Sequence, residues 1–130
     1  MIQSIDHIVL TITNLNKTIF FYCNVLGMKL EEFKLGPNTE LRKCLIFGNQ
    51  KINLHENNNL IKPGAKVAKP GTGDICFISD KNILEWEKLF IRNKINVEQR
   101  QIKQIGASGD LYSIYVRDPD ENLIEISNKI

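Results

Sequence analysis

Long apolar runs are missing from this chain: no stretch approaches the roughly 20 consecutive apolar residues that a membrane-spanning helix needs. Asp6 and His7 interrupt any apolar segment near the start, so no secretory leader and no membrane partner are expected. Surplus charge is scarce as well. Lys and Arg number 17 against 15 Asp and Glu, a net of +2, and the basic residues are scattered, which argues against nucleic acid. The three cysteines, Cys23, Cys44 and Cys76, are odd in number and form no C-x-x-C pair, so a disulfide framework is not expected. Reduced thiols in a cytoplasmic protein are the expectation.

What is present is ordinary for a soluble globular protein: 130 residues, 42% hydrophobic and 25% charged, enough for one domain with a real core. The chain also repeats itself in pattern. Ile5-Asp6-His7-Ile8-Val9-Leu10 aligns with Thr72-Gly73-Asp74-Ile75-Cys76-Phe77 at an offset of 74 − 7 = 67. Near the end of each half, Ile52-Asn53-Leu54-His55 aligns with Asn122-Leu123-Ile124-Glu125 at 125 − 55 = 70. Repeats at such spacing are read first, because they set the architecture.

Each half reads strand, helix, then three strands. Alternation over 5–12 predicts the first strand, and apolar Leu15, Ile19, Tyr22 and Leu26 at helical spacing predict a helix over 15–26. Asn14 suits its N-cap and Gly27 the left-handed position after it. Strands are expected over 28–34, 41–47 and 51–55, with a turn at Gly48-Asn49-Gln50. A Pro- and Gly-rich stretch, about 58–72, predicts a linker between module one (about 1–57) and module two (about 73–130). Module two is expected to hold strands over 74–78, 95–99, 111–116 and 122–127. Its helix is expected over 81–93, with Asp80 or Ser79 near its cap, and Gly106-Ala107-Ser108-Gly109 reads as a small-residue loop, free to move and suited to a cleft rim. The fold class is therefore α+β: two tandem βαβββ modules in a single domain, 1–130, curving into a partial barrel around a central cleft.

Four side chains stand out against this frame. His7 and His55, the only two histidines, and the carboxylates Asp74 and Glu125 each fall in a different strand. Side chains alternate between faces of a strand. Ile8, Leu10 and Ile12, then Ile52 and Leu54, Ile75 and Phe77, and Ile124 and Ile126 take the helix-packing faces. That leaves His7, His55, Asp74 and Glu125 on the opposite faces, an agreement that chance gives about one time in sixteen. Imidazole and carboxylate together suit a first-row divalent metal, Ni, Zn, Mn or Fe, and a cation offsets the cost of withdrawing such groups from water. His7 and His55 are each also readable as hydrogen-bonded structural histidines, and Asp74 as a cap on the turn at Gly71-Thr72-Gly73. Cys76 shares the parity of Asp74, which would set it near such a metal, and its plainer reading is a small core residue.

The segments Ile5-Asp6-His7-Ile8-Val9-Leu10, Phe21-Tyr22-Cys23-Asn24-Val25-Leu26-Gly27 and Arg117-Asp118-Pro119-Asp120-Glu121-Asn122-Leu123-Ile124-Glu125 resemble the glyoxalase / bleomycin resistance / extradiol dioxygenase (vicinal oxygen chelate) superfamily. Two further phrases, 46–55 and 113–119, resemble a small glyoxalase-like branch with virulence-associated bacterial members. The family's turn usually reads Asp-Pro-Asp-Gly, and here Glu121 stands in the glycine's place. The family's ligand order also differs from His7, His55, Asp74, Glu125.

The resemblance implies a metal-dependent lyase or isomerase acting on a small carbonyl substrate or thiol adduct. In that reading Glu125 moves a proton between adjacent carbons while the divalent ion polarises the substrate oxygens. It implies three alternatives: an Fe(II) ring-cleaving dioxygenase, a thiol transferase acting on an antibiotic with Tyr115 touching substrate, and a non-catalytic drug-binding protein. A homodimer is also implied, and unpaired sheet edges give a physical reason for one.

Overall fold

Helix starts and stops in this chain follow its capping residues. Asn14, extended at φ −134°, accepts a hydrogen bond from the Lys17 N–H at 2.9 Å and opens helix α1 (Leu15–Ile19). The helix does not stay α to its end. It widens into a π-helical segment, Phe20–Val25, where the Leu26 N–H reaches back five residues to the Phe21 carbonyl at 3.0 Å. Gly27 then turns the chain at φ +83°, the left-handed conformation that a residue without Cβ adopts freely.

The computed structural model describes all residues, Met1–Ile130, and its chain forms two units, Met1–Thr72 and Gly73–Ile130. The first unit carries strands β1 (His7–Ile12), β2 (Lys29–Phe33), β3 (Arg42–Phe47) and β4 (Gln50–Glu56) in one open sheet, ordered β1-β4-β3-β2. β1 runs parallel to β4, and the other neighbours are antiparallel. The core of this unit combines Leu10, Ile12, Leu45, Ile52 and Leu54 from the sheet with Phe21, Tyr22 and Val25 from the helical segment.

The second unit repeats the plan with β5 (Asp74–Ile78), helix α2 (Ile83–Arg92), β6 (Gln99–Gly106), β7 (Gly109–Arg117) and β8 (Leu123–Lys129), ordered β5-β8-β7-β6. Again the first and last strands are parallel neighbours. α2 lies against β7 and β8, and Ile83, Trp86 and Phe90 from the helix are buried, as are Phe77, Ile114, Val116, Ile124 and Ile126. Two βαβββ modules of an α+β fold are thus present, as the repeat requires.

One local expectation is sharpened and two are corrected. The cap of α2 is Asn82, just beyond Ser79 and Asp80, and its side chain accepts from the Leu84 N–H at 2.8 Å. Ser79 Oγ instead accepts from Lys81 N–H and from the Trp86 indole. The sixth strand does not occupy 95–99 but begins at Gln99, with a bulge before Ile102 and Gln101 at φ +55°. Its polar run Gln99-Arg100-Gln101 conceals it from a search for apolar alternation, yet suits an edge strand that must not template further pairing. Finally, Gly106 and Gly109 are partners across a tight hairpin turn, so 106–109 is a fixed turn and not a freely moving loop. A Cβ on Gly106 would lie 2.8 Å from the Gly109 carbonyl oxygen, so the closeness of the two strands demands glycine there.

Candidate functional site

In the second unit, strand pairing sets Tyr115 opposite Glu125 and Cys76 beside Glu125, so all three share the face turned away from α2. Ser113 and Ser127, paired with each other, continue that face and are fully buried. Ser113 Oγ donates to Glu125 Oε2 at 2.6 Å, and Ser127 Oγ lies 2.7 Å from Ser113 Oγ and 3.1 Å from the same carboxylate oxygen. Cys76 Sγ lies 3.2 Å from Ser127 Oγ. Burial together with the charge of Glu125, its cross-strand partner, pushes Tyr115 up to about 12 from 10.0. Burial raises the Cys76 thiol too, and the nearby Glu125 charge adds to the rise. Both groups are protonated at neutral pH and face the Glu125 carboxylate. Cys76 is an exposed residue and not the small core residue of the sequence reading.

The turn before β8 is what sets this register. Asp118 Oδ1 accepts from the Asp120 and Asn122 N–H groups, both at 2.9 Å, and Asp118 Oδ2 accepts from Asn122 Nδ2 at 2.7 Å. Asn122, fully buried, in turn accepts from the Gly73 N–H at 2.7 Å. The start of β8 is thereby tied to the residue before Asp74. Glu121, in the place of the family's glycine, carries the left-handed conformation itself at φ +67°.

Asp74 pairs with Leu123 and Cys76 with Glu125, so Asp74 and Glu125 sit on one face, one strand over and two positions along. The same step in the first unit starts from His7, which pairs with Lys51, and arrives at Asn53, which pairs with Val9. The counterpart of Glu125 in the strand pattern is therefore Asn53, and His55, the partner of Thr11, corresponds to Ser127. The offset at this strand is 125 − 53 = 72, not 70. A two-residue slip preserves which face a side chain takes, and so alternation alone does not reveal it.

His7 and His55 are consequently four positions apart along neighbouring strands, about 13 Å at a strand's rise. His7, half-exposed, holds Asp6 Oδ1 at 2.7 Å through Nδ1. His55 lines a cleft of about 40 Å³ within the first unit, with Arg42, Lys43, Asn59, Leu15 and Leu54. Burial, reinforced by the Arg42 charge, lowers His55 below the usual imidazole value of 6.5 and favours its neutral form.

No three His, Cys, Asp or Glu side chains converge anywhere in the structure to hold a metal. Each unit nevertheless offers a pair with suitable chemistry: Asp74 with Glu125, and His7 with Asn53. Asn53 Oδ1 is the telling atom, a buried oxygen with no hydrogen-bond donor. Such an acceptor is costly unless something completes it, and a divalent cation takes oxygen and imidazole donors of this kind. These donor types fit the group. Sequence reasoning missed Ser113, Ser127 and Asn53. Two small polar residues on the Glu125 face, each at strand parity with it, were the available signal for the serines.

A profile of the Glyoxalase/Bleomycin resistance protein/Dioxygenase superfamily matches residues 4–126. The chain is 43% identical over 127 residues to Glyoxalase domain-containing protein RDO1 of Mycosarcoma maydis, covering 98% of this chain and 69% of that one. It is 42% identical over 130 residues to Virulence protein STM3117 of Salmonella typhimurium, covering 100% of this chain and 87% of that protein. The crystal structure of STM3117 superposes with a TM-score of 0.92 over 100% of this chain and 99% of the other. A more distant relative, Metallothiol transferase FosB of Staphylococcus haemolyticus, is 26% identical over 126 residues, covering 97% of this chain and 84% of that one. With the family profile spanning nearly its whole length, this chain belongs to the glyoxalase/bleomycin resistance protein/dioxygenase superfamily.

Proposed function

We propose that this protein is a metal-dependent glyoxalase-like enzyme that moves a proton on a small carbonyl substrate or thiol adduct. The observation that carries the proposal is Glu125, a carboxylate presented on the open face of its sheet and held by buried hydroxyl donors. In this reading Glu125 removes a proton from one substrate carbon and returns it to the next. Tyr115, which stays protonated, supplies a hydrogen bond that steadies the carboxylate while it is charged. A bound divalent ion supplies the Lewis acidity that makes the carbon-bound proton acidic.

Of the ligands expected from the sequence, strand register supports His7, Asp74 and Glu125. It offers Asn53 Oδ1 at the place equivalent to Glu125, while His55 lines the separate cleft beside Arg42. The reading also makes the protein a cytoplasmic homodimer, which sedimentation velocity tests. Metal content by elemental mass spectrometry, on protein purified without an affinity tag, is the deciding experiment. Wild type should carry Ni, Zn, Mn or Fe near one per chain, Glu125→Ala and His7→Ala should lose it, and His55→Ala should keep it. A wild-type protein that takes up none of these ions from micromolar solution sinks the enzymatic reading. Loss in His55→Ala returns His55 to the ligand set.

One comparison favours a second reading. The similarity to a metallothiol transferase runs over 97% of this chain, and Tyr115 beside Glu125 places a hydroxyl where a substrate could meet it. Product analysis with a hemithioacetal, and separately with a thiol plus an epoxide, separates isomerase from transferase.

A further inference from the structure

Hydrogens around Glu125 can be counted, and the count assigns each group a role. Ser113 has one hydroxyl hydrogen, and it goes to Glu125 Oε2 at 2.6 Å, a length typical of a hydroxyl bound to a charged carboxylate. Ser127 also has one, and with the Ser113 hydrogen committed to Oε2 it goes to Ser113 Oγ at 2.7 Å, the shorter of its two contacts, Oε2 lying at 3.1 Å. The hydrogen between Cys76 Sγ and Ser127 Oγ must then come from the thiol. The chain of donors therefore runs one way, from Cys76 on the open face, through two fully buried serines, to a single oxygen of Glu125.

A carboxylate offers about four lone-pair sites. One, on Oε2, is filled by Ser113, whose own oxygen is held in turn by Ser127. Both serines lie against Oε2, so Oε1, which neither of them touches, is the oxygen left for Tyr115, a metal ion or a substrate proton.

We propose that Ser113 and Ser127 are positioning residues that divide the labour of Glu125, anchoring Oε2 in the sheet so that Oε1 alone meets metal and substrate. The inference rests on the function proposed above for Glu125. It extends that function to two residues that touch neither metal nor substrate and act only through the carboxylate. Both are small, buried and cross-strand partners on adjacent strands. Alanine at either position retains the packing shape while removing a single donor.

The test uses the full chain with Ser113→Ala, Ser127→Ala and Ser113→Thr, the last keeping the hydroxyl. Two quantities are read: Zn²⁺ affinity by competition calorimetry, and the Glu125 side-chain conformation in metal-free crystals. Each alanine variant should bind Zn²⁺ about 10- to 100-fold more weakly, the usual loss when a group supporting a metal ligand is removed. Glu125 should leave its wild-type rotamer in the metal-free alanine variants, and Ser113→Thr should restore both properties. Wild-type affinity together with an unmoved Glu125 in both alanine variants overturns the proposal. If wild type binds no Zn²⁺ yet Glu125 still swings away in the alanine variants, the positioning role stands and the metal-dependent function falls. If wild type binds no Zn²⁺ and Glu125 does not move, both fall.

Discussion

Replacing Asn122 with alanine tests whether the buried turn before β8 governs the unit that carries Glu125. Asn122 is 1% exposed and joins three segments: its Nδ2 donates to Asp118 Oδ2 at 2.7 Å, and its Oδ1 accepts from the Gly73 N–H at 2.7 Å. Alanine removes both bonds and leaves a donor and a charged acceptor each short of a partner. The cost is about 1 kcal/mol for the part-buried amide and about 2 kcal/mol for the buried carboxylate. Together that is about 3 kcal/mol, a sizeable part of the ~5–15 kcal/mol that holds a domain folded. For a chain of this size it corresponds to about 10 °C in melting temperature. Trp86, the single tryptophan, is buried in α2 of the same unit, so its fluorescence in a urea titration reports the affected unit directly. The midpoint should fall with little change in slope. A loss below about 0.5 kcal/mol, the level of an ordinary surface substitution, would show that solvent or rearrangement replaces both bonds and would refute the role given to this turn.

Three further outcomes are expected. Glu121→Gly should stabilise the protein by about 0.5–1 kcal/mol in the same assay, because Glu121 holds φ +67° at a steric cost that glycine avoids, offset in part by glycine's freedom when unfolded. Tyr115 should titrate near 12, seen as the difference in phenolate absorbance between wild type and Tyr115→Phe, and Glu125→Gln should bring it down towards 10. Since its folded value is raised, the stability linked to Tyr115 is complete below pH 10 and disappears as pH climbs through 12. His55 runs the other way. Its folded value lies below 6.5, so the unfolded chain takes up the proton first, and the linked stability is complete above pH 6.5 and declines as pH falls through the folded value. Arg42→Gln should raise His55 part of the way back in an NMR titration of metal-free protein, burial being the larger cause. An unchanged His55 midpoint would remove Arg42 from the account.

Periodicity carries a great deal of this molecule. The βαβββ repeat, the Asn14 cap, the Gly27 stop and the face on which each of His7, His55, Asp74 and Glu125 lies all follow from local rules. Each concerns a residue and its neighbours within a few positions, where sterics and alternation act alone. β6 escaped because an edge strand needs only its partner's hydrogen bonds, and its polar start, Gln99-Arg100-Gln101, carries no apolar alternation. Register escaped for a different reason. A strand shifted by two residues presents the same faces, so composition is equally satisfied with His55 or Asn53 at the place matched to Glu125. The difference is set by backbone pairing between segments more than 40 residues apart, Val9 with Asn53 and Cys76 with Glu125. The antiparallel pairing of β7 with β8 then brings Ser113 and Ser127 beside Glu125.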